Sequence, residues 1–496
     1  MKKQKGKSKL DEFFGLEKRN TTRKVEIFAG ITTFLAMAYI LVVNPNNILW
    51  GGTADPRFAS VFIATALGAF IGTLLMSLLA KMPLAQAPGM GLNALVGTII
   101  GGALGFSYSF GNAMALVFIS GIIFLVLSFV RVGKKKISLR EKIFDGVPKP
   151  IRLSISVGVG LFIAFIGLQN AHIIVNNDFT LLQLIDFNNP ELWVKGGEAC
   201  MAIVALFGLL VIAILSHYKV KGAVIIGILS STILAIPLGV ADLNILSGNV
   251  KGISWKFWEN IGSFFTNKDV FLSLFRDGFN FPDGSLMTSI MLVISFSMID
   301  MFDTMGTVIG CCKNANLMDK DDKPINYGKM MYADSIATIT GSIVGTSTVT
   351  TFVESGTGVS AGGKTGLTAL TTAILFLLAI FLLPLFAFIP SAAASSALIY
   401  VGVLMMSNVK EVDFTNIKNA VPAFMTIIIM LLSYSITNGI GMGIITFAVI
   451  DLIIYLIDLI RYKNGKIKNK PKLETTIITF IIVILFLIYF LVPTVF

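Results

Sequence analysis

Residues 345–365 read GTSTVTTFVESGTGVSAGGKT, placing glycines, hydroxyls and one carboxylate, Glu354, between two segments apolar enough to span a bilayer. A bilayer midplane offers no water, so non-helical backbone persists there only where it is buried in protein or lines a cavity. The first half, Thr348 to Phe352, is mostly β-branched and predicts a short extended piece. From Ser355 onward the pattern predicts the start of a helix whose free N–H groups point back toward Glu354. A helix N-terminus suits an anionic or acceptor-rich ligand, so this stretch is a candidate binding site.

The first half of the chain carries a counterpart. APGMGLNA, Ala87 to Ala94, can be laid over ESGTGVSA, Glu354 to Ala361, with Gly89, Gly91 and Ala94 on Gly356, Gly358 and Ala361. Likewise Val147-Pro148-Lys149-Pro150-Ile151 resembles Phe388-Ile389-Pro390-Ser391-Ala392, and each opens a long apolar segment after its glycine motif. Paired, Gly/Pro-interrupted segments in two halves are the best sequence pointer to a transporter's site, and the spacing argues for a duplicated unit. Close packing of small residues is the alternative reading. Packing alone has no use for a carboxylate in the middle, because intramembrane charge is costly.

Hydrophobic residues make up 55% of the chain and charged ones only 14%, with mean hydropathy +0.83. That balance excludes an ordinary soluble domain. The chain reads as an all-α polytopic membrane protein built from segments of about twenty apolar residues. Two sets of seven cover 26–461, the third (87–105) and tenth (351–363) being the interrupted ones, and an extra hydrophobic segment follows at 474–494. The first span closes on Asn44-Pro45-Asn46-Asn47, a turn signal. The three cysteines, Cys200, Cys311 and Cys312, give no disulfide framework. Basic residues concentrate in Lys2 to Lys24, Arg131 to Arg152, His217 to Lys221 and Arg461 to Lys472. With a cytoplasmic N-terminus all of these loops fall on the cytoplasmic side, which accounts for the net charge of +11 without nucleic acid. Trp255, Trp258, Phe264 and Phe265 mark an interfacial amphipathic element in an extracellular loop. No cleavable signal peptide is expected.

Asp300 and Asp303 stand three residues apart, on one helical face and about 20 Å from the start of their segment at 1.5 Å per residue. Carboxylates at that depth are functional-site candidates by default and suit a proton carrier; packing aspartates satisfied by nearby Ser and Thr are the alternative. Asp334 and Asp458 lie near span ends, and Asp451 is placed to bond a neighbouring helix. Asn93, with Gln86, can both donate and accept, so a helix–helix hydrogen bond and a ligand contact both stay open. Phe296 and Phe352 can stack on a planar ligand, although aromatic side chains in spans more often pack. Gly358 to Thr365 fits G-x-x-x-x-G-K-[ST], but a phosphate cradle needs a strand and helix inside a soluble α/β domain. Lys364 therefore reads as a lysine at a cytoplasmic span end. The spans hold no nucleophile beside a base and no His/Cys cluster in sequence, so neither an enzyme nor a metal or other cofactor is expected.

Together APGMGLNA (87–94), DMFDTMGT (300–307), Ala333-Asp334-Ser335 and GTSTVTTFVESG (345–356) resemble the AzgA-like purine permeases, a branch of the nucleobase:cation symporter-2 superfamily. The resemblance runs from about residue 10 to 461. It implies fourteen spans in two inverted repeats of seven, after a cytoplasmic tail at 1–25. A core domain would comprise 26–130 and 287–388, and a gate domain 148–239 and 389–461. An extracellular connector would occupy 240–286, and a basic linker with the last hydrophobic segment 462–496. The resemblance also implies import of hypoxanthine, guanine or adenine by proton symport across the plasma membrane. Sodium stays open as the coupling ion, and a homodimer as the assembly. Carried over by motif, the binding positions fall on Asn93, Asp300, Asp303 and Glu354. On this reading Glu354 accepts from the base, backbone N–H groups at Ser355, Gly356 and Gly89 donate to it, and Asp300 contacts the ligand. Asp303 handles the proton, with Asp300 open to that role as well. Xanthine or uracil transport and anion exchange on the same fold are the alternatives, the midplane carboxylates arguing against an anion. Thr357-Gly358-Val359-Ser360-Ala361 departs from the alanine-rich run usual after the glutamate-serine pair.

Overall fold

The computed structural model describes residues 9–49, 52–102, 105–132, 137–177, 179–220, 222–246, 253–266, 268–320, 323–464, 466–467 and 469–491. The start of the N-terminal tail, part of the 240–286 connector and the end of the 474–494 segment lie outside these ranges. Helices dominate the first half: α1 (Lys9–Phe14), α2 (Arg23–Met37), α3 (Ile40–Ile48), α4 (Phe58–Leu75), α5 (Met90–Ile100), α6 (Phe110–Phe129), α7 (Leu139–Gly146), α8 (Lys149–Asn170), α9 (Glu198–His217) and α10 (Ala223–Ala235). Two short helices, α11 (Phe257–Thr266) and α12 (Ser273–Arg276), precede the second half. That half holds α13 (Leu286–Asn314), α14 (Tyr327–Val344), α15 (Ser355–Ser360), α16 (Gly366–Ala379), α17 (Leu383–Ala387), α18 (Ser391–Met406), α19 (Ile417–Leu432), α20 (Ile436–Lys463) and α21 (Ile477–Leu491). Among the described residues, nine helical stretches are long and apolar enough to cross a membrane, with α5, α10, α19 and α21 as shorter apolar helices.

Among the described residues, three antiparallel ribbons interrupt the helices: β1 (Gln86–Pro88) with β6 (Val349–Thr351), β2 (Arg131–Val132) with β3 (Ile137–Ser138), and β4 (Ile174–Asn177) with β5 (Leu181–Leu184). Only the first joins distant parts of the chain. Local chemistry fixes the helix ends around it. Ser109 and Asn112 form a capping box that starts α6, and the Thr365 hydroxyl caps α16 by accepting from Leu367 N. α14 stops at Gly345, whose φ of 96° lies in the left-handed region that favours glycine. The first span breaks between Met37 and Ile40, leaving Tyr39 at the junction. The Asn44-Pro45-Asn46-Asn47 turn expected there is instead helical, inside α3, because the break has moved upstream.

Helices α2, α4, α6, α14 and α16 pack through α2·α16, α4·α16, α4·α14 and α6·α14. A second set packs through α8·α18, α8·α19, α9·α10, α9·α18 and α19·α20. α13 touches both, meeting α6, α15 and β6 on one side and α8 and α20 on the other. Val349 of β6 seats in a notch between α4 and α14. A Cβ on Gly72 or on Gly341 would come within 2.7 Å of it. Gly68 and Gly72 thus serve close approach, as their spacing suggests. The C-terminal segment is tied down as well: Asp451 of α20 pairs with Lys418 Nζ of α19 at 2.6 Å and accepts from Thr475 N at 2.7 Å.

Candidate functional site

The two interrupted segments meet. β1 and β6 run antiparallel with Gln86 opposite Thr351, Ala87 opposite Thr350 and Pro88 opposite Val349, all six residues buried. A two-stranded ribbon leaves backbone groups unpaired on its outer edges, which is untenable in hydrocarbon. Hydroxyls on the surrounding helices fill them. Thr73 of α4 donates to Gln86 O (2.8 Å) and accepts from Gln86 N (2.9 Å). The Thr304 hydroxyl of α13 accepts from Thr351 N (3.3 Å), and Thr338 of α14 reaches Val349 O (3.4 Å). The β-branched and hydroxyl-rich composition of 346–351 suits this place: Val349, Thr350 and Thr351 extend as β6, and the hydroxyls of Thr346, Ser347 and Thr350 bond to Asn44, Asn93 and Asp303.

Each strand leads into a helix, β1 into α5 and β6 into α15. The N-cap of α5 is Gly89 and that of α15 is Glu354. The glycine-on-glycine overlay is therefore out of step with the geometry by two residues: Gly89 corresponds to Glu354, not to Gly356. Phe352 and Val353 make an extra turn after β6 that β1 lacks, because Pro88 passes directly to Gly89.

The expected donors are a correction. Gly89 N donates to Thr348 O (2.9 Å), Ser355 N to Phe352 O (3.1 Å) and Gly356 N to Val353 O (2.9 Å), so all three N–H groups are spent inside the protein. The first turn of α5, by contrast, has no capping side chain, and the N–H groups of Met90, Gly91 and Leu92 have no partner in their own helix.

Among the acidic positions, Glu354 and Asp303 keep accessible surface, as does Gly356, whereas Asp300 is fully buried. Tyr39, from the break in the first span, donates its hydroxyl to Glu354 Oε1 at 2.6 Å. Thr350 of β6 donates to Asp303 Oδ2 at 3.4 Å. Asp300 faces the Thr304 hydroxyl (3.2 Å) and the Thr338 hydroxyl (3.4 Å). Asn93 is fully buried; its Nδ2 donates to Pro88 O (3.3 Å) and its Oδ1 accepts from the Ser347 hydroxyl, tying the two interrupted segments together. The Ser355 side chain is bonded to the backbone of Ala85. Phe296 is wholly enclosed and Phe352 nearly so.

Three residues of this cluster were not among the site positions expected from sequence. Asp334, at what reads as a span end, is fully buried and accepts from Thr304 Oγ1 (2.7 Å), Gln86 Nε2 (3.3 Å) and Arg140 Nη2 (2.6 Å). Arg140 belongs to the basic loop assigned to cytoplasmic solvent, yet it has no exposed surface and lies over the Phe124 ring, 4.2 Å from its centroid. Tyr39 is the third, a buried tyrosine whose hydroxyl needed a partner. Four carboxylates thus gather around one crossing, with Arg140 as the cation bonded into the group. A cavity of ≈ 430 Å³ lies elsewhere, lined by Pro148, Arg152, Asp413 and Glu474 among others, and shares no residue with the crossing.

The phosphate-loop match also resolves. The backbone N–H groups of Lys364 (2.9 Å) and Thr365 (3.1 Å) do hold an anion, the buried carboxylate of Glu26.

Long apolar helices, two broken segments crossing inside them and carboxylates at the crossing define a membrane transporter of the broken-helix type. Its family follows from comparison: the Permease family model, Xan_ur_permease, matches residues 24–442, and the chain belongs to that family, a transporter and not an enzyme. It is 36% identical over 447 residues to the adenine permease AdeP of Escherichia coli, covering 90% of this chain and 91% of the relative. To the guanine/hypoxanthine permease PbuO of Bacillus subtilis it is 35% identical over 452 residues, covering 88% and 93%. Similar solved structures include the transmembrane domain of a cyanobacterial bicarbonate transporter, BicA (TM-score 0.57, 14% identity, 85% of this chain and 97% of that one). The murine Slc26a9 anion transporter is another (TM-score 0.56, 10% identity, 92% and 73%). At these identities the likeness is one of fold.

Proposed function

We propose that this permease imports purine nucleobases, hypoxanthine, guanine or adenine, together with protons by alternating access. The observation that carries the reading is the pair Glu354 and Asp303 at the crossing, largely buried but with some surface left accessible, each oriented by a hydroxyl from another element. A carboxylate fixed on one oxygen offers the other to the N–H edge of a neutral base. The N–H groups opening α5 answer the ring nitrogens and carbonyl. Relatives named as adenine and guanine/hypoxanthine permeases support the substrate class. Carboxylates outnumber the one guanidinium bonded among them, so the site calls for a cation, and a proton is the coupling ion of this reading, with sodium as the alternative.

On this reading the chain has fourteen spans in two inverted repeats, with β1–α5 and β6–α15 as the paired interrupted segments. The set around α2, α4, α6, α14 and α16 is the core, and the set around α8, α9, α10, α18, α19 and α20 is the gate. The N-terminus is cytoplasmic and the plasma membrane is the site of action, following the distribution of basic loops. Anion exchange is disfavoured by the carboxylates, although the similar solved structures are of a bicarbonate transporter and an anion transporter.

The test is a competition panel. Purified protein in liposomes takes up radiolabelled hypoxanthine while unlabelled adenine, guanine, xanthine, uracil or bicarbonate is added in excess. Competition by the 6-substituted purines supports the assignment. Competition by uracil or bicarbonate alone overturns it.

A further inference from the structure

The buried half of the cluster has a proton count that can be followed. Thr304 has one hydroxyl hydrogen and two carboxylate neighbours, Asp334 Oδ1 at 2.7 Å and Asp300 Oδ1 at 3.2 Å, and its oxygen already accepts from Thr351 N. Thr338 likewise has one hydrogen and two acceptors, Asp300 Oδ2 and Val349 O, both at 3.4 Å. Asp334 is supplied with donors from Arg140 and Gln86 as well, so it is the residue equipped to remain an anion. Asp300 is left with at most a shared hydroxyl although it is fully buried, and a buried carboxylate without donors is costly. If Asp300 is a carboxylic acid, its O–H donates to Thr304 Oγ1 and frees the Thr304 hydrogen for Asp334, leaving only the Thr338 hydrogen divided between two acceptors.

We propose that Arg140, on the connector helix α7, is a positioning residue for proton coupling: by holding Asp334 ionised it commits the Thr304 hydrogen to Asp334 and makes Asp300 the carboxyl that takes up and releases the coupled proton. This rests on the symporter reading above and adds to it the proton's seat and the residue that selects it. The step balances simply. A proton from water forms the Asp300 O–H, which bonds Thr304; on release it returns to water and leaves the Asp300 carboxylate with the Thr338 hydroxyl.

Charged groups face Asp300 from several packed elements: α7 brings Arg140, whose charge acts on Asp300 as well as on Asp334, and Glu141, which is paired with Lys323. Asp303 shares α13. Asp334 comes from α14, whose Tyr327 lies near Arg140. Glu354 precedes α15 and is bonded to Tyr39. The α5, α6, α15 and β6 segments carry no titratable side chain. On α8, Lys149 reaches exposed Glu411 and Arg152 lies over Phe144; on α20, Asp451 is paired with Lys418; on α21, Tyr489 packs on Phe490.

The experiment uses the full chain in liposomes with radiolabelled hypoxanthine or adenine, whichever the wild type takes up. Two quantities are read: accumulation driven by an inward gradient of one pH unit across pH 5.5 to 8, and exchange of labelled for unlabelled base at equal pH on both sides. With one proton per base, wild type approaches roughly tenfold accumulation. Arg140→Gln lets the proton settle on Asp334 and is expected to fall to about onefold accumulation while exchange persists. Arg140→Lys keeps the charge and retains most of the accumulation. The double variant Arg140→Gln/Asp334→Asn removes both charges, leaves an acceptor for Thr304, and is expected to recover accumulation. Should Arg140→Gln not fold, the double variant decides: gradient-driven accumulation supports the proposal, and exchange without accumulation overturns it. Wild type that accumulates beside an Arg140→Gln variant with the same pH profile overturns this inference alone. Wild type that shows no gradient-driven accumulation overturns the proton reading, and this inference with it.

Discussion

Tyr39→Phe isolates what orients the carboxylate at the crossing. The ring stays, and with it the packing of a residue that is 1% exposed; only the hydroxyl that donates to Glu354 Oε1 at 2.6 Å is removed. Hydrogen bonds to charged groups contribute about 1.5–3 kcal/mol. On the proposed reading that energy serves to fix one oxygen so that the other is offered to the base, and Glu354 sits on a short turn with no other side chain bonded to Oε1 among the described residues. Losing it should weaken substrate binding by roughly 10- to 100-fold, while folding changes little because the freed carboxylate keeps access to water. The assay is equilibrium binding of the transported base to purified protein, alongside KM and kcat for uptake. A rise in Kd and KM at near-constant kcat is expected. A Kd within twofold of wild type in a folded Tyr39→Phe protein would refute the role given to this hydroxyl.

Other substitutions probe the scaffold. Glu26→Ala leaves the Lys364 and Thr365 N–H groups and the Thr365 and Thr368 hydroxyls without their shared acceptor, and should cost roughly 3 kcal/mol or more, read as a lowered Tm that added nucleotide does not restore. Gly72→Ala brings a methyl to 2.7 Å from Val349 and should destabilise by about 1–3 kcal/mol. The loss should be smaller than additive when combined with Val349→Ala, a coupling that a double-mutant cycle measures. Asp451→Ala leaves Lys418 with the exposed Glu474 (2.9 Å) as its remaining carboxylate and removes the acceptor that holds the segment before α21; a loss of about 1.5–3 kcal/mol is expected in denaturation of the detergent-solubilised protein.

Much of the architecture was legible because hydrocarbon imposes strict rules on sequence. Apolar runs located the long apolar helices, and the two glycine motifs located the crossing, since interrupted helices concentrate hydroxyls and a carboxylate between apolar segments. Asp300 and Asp303 stood out for the same reason. What the sequence hid were pairings made across distance. Arg140 looks like any basic-loop arginine until α14 brings Asp334 against it, and composition cannot separate a solvated guanidinium from a buried one. The N–H groups of Gly89, Ser355 and Gly356 were assigned to a ligand because the motif is glycine-rich, but a ribbon flanked by tight turns consumes its own donors. The register slip of two residues has a similar origin: glycines align by type, whereas the helices begin at Met90 and Ser355. Tyr39 was the recoverable omission, because a tyrosine deep in a span must place its hydroxyl somewhere.

The measurement that bears most directly on the account is accumulation of a labelled purine base in liposomes as a function of an imposed proton gradient, for wild type and Glu354→Gln side by side. The account predicts that the wild-type accumulation ratio rises with the inward gradient, about tenfold per pH unit at one proton per base. Glu354→Gln, which keeps the shape but loses the charge, should neither bind nor accumulate the base. Gradient-independent equilibration in the wild type, or undiminished accumulation by Glu354→Gln, would contradict it.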